Sequence, residues 1–406
     1  MRKICLTVIG MCILLVHAFS QSPSSTDPEA YKSLDLKLEE TNLVTSYYSQ
    51  NGNHSPVTGG IGTQKLTDIS NIINLKFVKW DIFDRKHTFH VELGIDHHTA
   101  ASSAYVSKTG ASKTGGTRIY PSVNWQVENE AKRTTFGVGA SYSNEYTYHS
   151  YGANILFAKH SKDNNREFTA KGNIFLDQVK MVQPSELRPE PVVVSSASRA
   201  GDANKIPSSP RNTFATSFSL SQVVNKRFQV SVIADAVAQQ GYLGLPFHRV
   251  YFKNITTEKV EKLPASRFKL PLGIRLNYFA GDKVILRSYY RYYTDNWGVT
   301  AHTASLEVPV KITPFVSVSP FYRYYVQTAA KYFAPIYAHD LNDVYFTSNY
   351  DYSAFHSQFA GINFRVAPPK GVFGVKNFSL LEIRYGHYHQ TTGLNANNIS
   401  LNIRFK

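Results

Sequence analysis

Apolar positions recur with a period of two along most of this chain. Phe89, Val91, Leu93 and Ile95 alternate with His90, Glu92, Gly94 and Asp96. The stretches from Phe268 to Tyr278, Leu306 to Ile312 and Ile399 to Phe405 repeat the pattern. Successive side chains of a β-strand point to opposite faces, so each stretch carries one apolar and one polar stripe. A half-buried soluble sheet gives the same local pattern. The number of stretches and the way they are joined separate the two readings.

The alternation predicts about 16 strands. Their approximate spans are 38–50, 66–80, 87–100, 117–128, 133–145, 148–159, 166–179, 213–224, 227–240, 268–279, 283–295, 302–312, 315–328, 354–366, 379–391 and 395–406. Long connections fall at 51–65, 101–116, 180–212, 241–267 and 329–353. Between them lie short ones rich in turn formers, such as Asp163-Asn164-Asn165, Asn225-Lys226, Ala280-Gly281-Asp282 and Thr313-Pro314. Long loops therefore gather at one end of the sheet and short turns at the other. Bacterial outer-membrane barrels have this asymmetry, with loops outside and turns in the periplasm. The expected fold is all-β, a transmembrane antiparallel up-and-down β-barrel of about 16 strands over 38–406. The connection 367–378 departs from the rule, being long at the short-turn end.

The start of the chain fits this location. Arg2 and Lys3 precede an uncharged apolar run from Ile4 to Val16, and Ala18-Phe19-Ser20 forms a small-x-small cleavage site. The expected signal peptide is 1–20, cleaved near Ser20, with 21–37 as a periplasmic tail. The run is too short to span a membrane as a helix, which takes about 20 residues. Cys5 and Cys12 leave with the signal, so no thiol chemistry or disulfide is expected afterwards. Removing Arg2 and Lys3 lowers the formal net charge from +15 to +13. The 26 Tyr and 25 Phe, against 3 Trp, suit membrane interfaces. The last strand, with Phe405 on its lipid face, resembles the signal that barrel-assembly machinery reads, though Lys406 follows the aromatic; that machinery is an expected partner, with outer-membrane lipid around the wall. Segment 180–212, with Pro184, Pro189, Pro191, Pro207 and Pro210, reads as an irregular loop. A solvated surface loop is favoured over a plug in the lumen.

Several stretches carry a resemblance. They include Ser55-Pro56-Val57-Thr58-Gly59-Gly60-Ile61-Gly62-Thr63, GIDHHTAASS at 94–103, KDNNREF at 162–168 and GLPFHRVYF at 244–252. RSYYRYYTDNWGVTAHTA at 287–304 and VAPPKGVFGVKNFSLLEIRYGHY at 366–388 complete the set. The chain resembles the uncharacterised outer-membrane β-barrel family catalogued as domain of unknown function 3570, over nearly all of its mature length. The resemblance implies fold and location and no activity. An aromatic is more usual in that family where His98 stands, which weakens a special role for this histidine.

Extending the alternation puts a basic set on the inner face: Lys76, Lys171, Lys269, Arg275, Arg287, Arg291, Lys311, Arg323, Arg365, Arg384 and Arg404. Fewer anions share it: Glu92, Asp96, Glu167, Asp177, Asp235, Glu307 and Glu382. A lipid-facing charge costs about 2–4 kcal/mol at the midplane, which fixes this register. Rings of Arg and Lys favour anions in pores. The alternative is an ion-pair network that fills the barrel. Within Arg287-Ser288-Tyr289-Tyr290-Arg291-Tyr292-Tyr293, the residues Arg287, Tyr289, Arg291 and Tyr293 face inward, while Tyr290 and Tyr292 face lipid as a girdle. His387 and His389 share the outward face near the rim, a poor place for a metal. No glycine-flanked nucleophilic serine, HExxH or phosphate loop occurs. Asp96 with His98, or Glu92 with Asp96, is the remaining pair for an enzyme.

The candidate site residues are thus Arg275, Arg287, Tyr289, Arg291, Tyr293, Arg323, Arg365 and Arg384. No catalytic residue, metal, cofactor or nucleic acid is expected. The leading reading is a porin-like channel or transporter for small hydrophilic, preferentially anionic solutes. The rival is a non-conducting scaffold or partner subunit of an assembly or export complex, and an outer-membrane enzyme comes third.

Overall fold

Alternating side chains become strands because only the extended backbone puts every second residue on one face. The computed structural model describes residues 33–99, 115–184, 187, 206–255 and 258–406. The expected signal peptide, its cleavage site and most of loop 180–212 lie outside the described residues.

The strands are β1 (Lys37–Asn51), β2 (Leu66–Trp80), β3 (Arg85–His98), β4 (Gly116–Asn129), β5 (Thr134–Asn144), β6 (Tyr148–His160) and β7 (Arg166–Lys180). Then come β8 (Ser208–Asn225), β9 (Phe228–Gly241), β10 (Arg249–Tyr251), β11 (Glu258–Val260), β12 (Ser266–Ala280) and β13 (Val284–Asp295). The rest are β14 (Thr300–Glu307), β15 (Val310–Lys311), β16 (Val316–Gln327), β17 (Phe355–Val366), β18 (Phe378–Gln390) and β19 (Asn395–Phe405).

Neighbours in sequence pair antiparallel, β9 pairs with β12, and β19 pairs with β1. The sheet closes on itself as a 16-strand barrel, because β14 and β15 are two halves of one strand. The expected single strand 302–312 is interrupted at Val308-Pro309, where proline has no N–H to give the ladder. Strand β8 starts at Ser208, earlier than the alternation predicts. Ser208-Ser209-Pro210-Arg211-Asn212 lacks an apolar stripe, yet the segment pairs with β7 in unbroken register.

Rows of apolar residues run around the outside. Leu43, Ile73 and Leu93 are neighbours across three strands, and Ile362, Ile383 and Ile399 continue the band. The wall strands, with β14 and β15 taken as one, reach or exceed the roughly 9–11 residues a tilted strand needs to cross a bilayer. Among the described residues no helix is long and apolar enough to cross. Both described ends of the chain lie at the short-turn end, where Thr41 faces Phe405.

At the long-loop end, segments 52–65, 242–255, 258–265 and 328–354 pack into a cap. Its small core is Val250, Phe252 and Phe346, with Ile255 against it. Bridges join Phe252 to His339 and Lys262 to Phe346. Arg249 donates from Nη1 to the Val57 carbonyl at 2.7 Å, and His54 stacks on Tyr350 at 3.7 Å. Gly60 lies at φ +86°, and a Cβ there would meet the Ser348 carbonyl at 2.5 Å, so the approach of the loops requires glycine.

Candidate functional site

Strand parity sets the inner wall. From β12 to β18 one register row reads Arg275, Tyr289, Ser305, Arg323, Phe359 and Tyr388. The adjacent row reads Arg287, Glu307, Phe321, Gly361 and Gly386. The guanidinium groups lie over aromatic faces: Arg384 over Phe321 at 3.9 Å, Arg323 over Phe359 at 5.1 Å and Arg275 over Tyr289 at 5.7 Å. Such stacking orients the charge while leaving its donors toward water. Gly361 and Gly386 make room for these rings, since a Cβ at Gly361 would meet Phe321 at 2.5 Å.

Carboxylates on this wall are few and shared. Glu307 faces Arg287 at 3.0 Å and Arg384 at 3.6 Å, and Asp235 lies 3.9 Å from Arg291. Arg365 stands opposite Glu382, which accepts from Asn363 at 2.7 Å. The Arg287 side chain keeps 51% of its surface accessible and that of Arg291 keeps 40%. A lumen filled by packed ion pairs would not leave them so open. The opposite wall is richer in amides, with Asn124, Gln126, Asn154 and Asn173 beside cavities, the larger about 430 Å³. Several charges there pair across the wall, as in Lys76–Glu39 at 2.6 Å, Arg211–Asp177 at 3.0 Å and Arg118–Asp96 at 3.8 Å.

Beneath the cap lies a cavity of about 320 Å³ lined by Arg267, Arg291, Tyr293, Tyr325, Gln327 and Asp351. Arg267, at the very start of β12, was not among the residues the alternation singled out. Its Nε donates to Asp295 Oδ2 at 2.9 Å, and its second contact to Asp295 comes from Nη2. Asp295 also accepts from the Tyr293 hydroxyl at 2.7 Å and from the Trp297 and Val299 amides at 2.9 and 3.0 Å. The guanidinium lies 4.4 Å from the Trp297 ring centre. Spatial proximity, not spacing, makes this cluster.

The cap reaches into the mouth at 350–353. Gln327 Nε2 donates to the Asp351 and Ser353 carbonyls at 2.9 and 2.6 Å, tying that segment to the wall. Deeper in the cap, the Glu261 carboxyl accepts from the Thr347 hydroxyl and from the Leu245 amide. Burial pushes Glu261 up to about 7, and burial beside His339 pushes His248 down to about 3. His248 is therefore neutral near neutrality, while Glu261 loses its proton only as pH approaches 7.

The remaining candidates are dispersed. Asp96 accepts from Ser70 and from Tyr120, while His98 lies 3.7 Å from Glu145, and Glu92 accepts from Asn74. Each partner of the sequence-level acid–base pairs is thus engaged elsewhere. His387 and His389 point outward to Asn397 and Asn395, each at 2.9 Å. Tyr290 likewise faces outward and bonds His302 at 2.7 Å, as a girdle residue would.

No curated protein is found to match the chain in sequence. In structure it is similar to OpdK, an outer membrane protein of Pseudomonas aeruginosa, with 6% identity and a TM-score of 0.43 over 92% of this chain and 99% of that one. It is similar to OccD3 (OpdP) of the same organism, with 7% identity and a TM-score of 0.42 over 94% and 96%. The ferric enterobactin receptor PfeA, also from Pseudomonas aeruginosa, aligns with 9% identity and a TM-score of 0.45 over 86% of this chain. The chain spans about half of that receptor, 53%. The family model described as "Protein of unknown function (DUF3570)" matches residues 96–392, and the chain belongs to that family.

Proposed function

We propose that this barrel is a porin-like channel or transporter in the outer membrane of a Gram-negative bacterium, passing small hydrophilic solutes with a preference for anions. The long-loop end then faces outward and the short-turn end the periplasm. The observation that carries the reading is the β12–β18 wall, where Arg275, Arg287, Arg291, Arg323, Arg365 and Arg384 share few carboxylates and stay open to the lumen. A 16-stranded barrel is wide enough to leave a water-filled interior. Fixed cations along one wall attract anions and supply donors to replace their hydration. Side-chain hydroxyls of Tyr289, Tyr293 and Tyr325 suit oxygen-rich solutes on the same wall.

Liposome swelling tests this. Vesicles holding the refolded barrel are expected to admit gluconate faster than glucose, with the order lost in the Arg323→Ala, Arg384→Ala double variant. Entry of neither solute into vesicles containing a folded barrel would count against an open path.

A further inference from the structure

The short-turn rim is uneven. Turn 81–84 exposes Ile82 at 81% and Phe83 at 71%, and turn 312–315 exposes Ile312 and Phe315. Loop 367–377 exposes Phe373 at 87%, and Leu34 is exposed just before β1. These positions are neighbours in the barrel, because the order β15, β16, β17, β18, β19, β1, β2, β3 is continuous. The turns on the other half are polar, with Glu130, Lys132, Lys162, Asp163, Lys226 and Asp282. Val223, Val224 and Phe279 are the apolar exceptions there, and they lie at the ends of strands β8 and β12 instead of crowning a turn.

Loop 367–377 is built to present its aromatic. Phe373 adopts φ +54°, a left-handed conformation that is costly for a bulky side chain. Gly371 and Gly374 flank it at φ +82° and +80°. Amide-to-carbonyl bonds Gly374–Gly371, Val375–Val372 and Phe378–Val375 hold the loop, and Val372 is buried as its anchor. The strain is thus maintained by a packed frame whose result is an aromatic ring facing away from the protein. This also gives the unusually long connection at this end a physical role.

Lipid does not account for the pattern. A bilayer surrounds the barrel on every side, so a rim dipping into it would be apolar all round. A half-rim calls for a one-sided partner. The exposed lysines Lys37, Lys370, Lys376 and Lys406 border the patch, against exposed Asp35, Asp84 and Glu39, the last paired with Lys76. Exposed apolar patches of this kind mark protein or membrane contacts, and the one-sidedness of this one favours a protein.

We infer that the rim from β15 to β3 docks a periplasmic protein through an apolar face fringed with carboxylates. The inference rests on the orientation proposed above. The test places a photo-crosslinking benzoylphenylalanine at Phe83, Phe315 or Phe373, and at Lys132, Asp163 or Asp282, in the full chain in living cells. One and the same protein is expected from the three apolar positions and from none of the polar ones. That protein, purified, should bind the purified barrel and lose at least tenfold in affinity to the Phe83→Ser, Phe373→Ser variant. Adducts to lipid alone, to the chain's own N-terminal tail, or equally from the polar turns overturn the inference. A cysteine at Leu341 separates the two readings. If it is not labelled from outside the cell, the orientation falls and the inference with it. If it is labelled and the apolar positions yield only lipid, the inference alone falls.

Discussion

Asp295 shows how one residue organises the mouth of the barrel. Its side chain has no accessible surface, and it accepts from Arg267, from Tyr293 and from two backbone amides. Breaking such a pair strands the remaining charge, which costs about 3–5 kcal/mol. Asp295→Asn is therefore expected to lower the barrel's unfolding free energy by that much, read as a lower guanidinium midpoint, with Arg267 left uncompensated. An unchanged midpoint would mean that the cluster is not a support. The lumen arginines were legible from parity alone, because a charge on the lipid side is too costly to place there. Arg267 and Asp295 were not, since each sits at a strand end and they meet only through the β12–β13 ladder, where Lys269 faces Asp295. Nor did the alternation reveal that Arg384 lies on Phe321, two strands away, and Arg323 on Phe359 of the neighbouring strand.

At the scale of elements, hairpins and cap differ in origin. The hairpins follow from period-two patterning and turn residues, so most strand spans match the expected ones within a few residues. The cap has no periodicity to read; segments 242–255, 258–265 and 328–354 gain their order from each other. Its buried groups give it a pH response. Glu261 is raised from 4.5, so its contribution to cap stability is present below about 4.5 and is lost as pH rises towards 7. His248 is lowered from 6.5, so its contribution is present above 6.5 and is lost as pH falls towards 3. Between 4.5 and 6.5 the two oppose each other. Glu261→Gln removes one side of this balance. Hydrogen exchange, corrected for intrinsic pH effects, should then show the amides of 242–255 losing protection as pH falls below 6.5. A profile identical to that of the unsubstituted protein would contradict this account of the cap.

For the whole molecule, closure is the step that removes sheet edges and lets a strand protein live in lipid. The seam joins β1 to β19, with Ser46 facing Ser400. Facing residues in an antiparallel pair lie within reach of a disulfide. Ser46→Cys with Ser400→Cys, in refolded residues 21–406, which hold no other cysteine, is expected to form an intrachain bond in the folded barrel. Free thiols in a heat-modifiable, folded product would contradict the closed register. The even strand number and the loop asymmetry were visible in the sequence as alternating long and short connections. The uneven apolar rim was not, because it appears only once the closed order makes the β15–β16 and β2–β3 turns members of one arc.

The central claim is that the closed barrel holds a water path with an anion-favouring wall. Its most direct test is the reversal potential of single channels in a planar bilayer under a potassium chloride gradient. The account predicts stable current steps with a potential on the chloride side, moving toward zero when Arg323 and Arg384 are both replaced by alanine. A folded barrel that passes no current, or one that selects potassium, would contradict it.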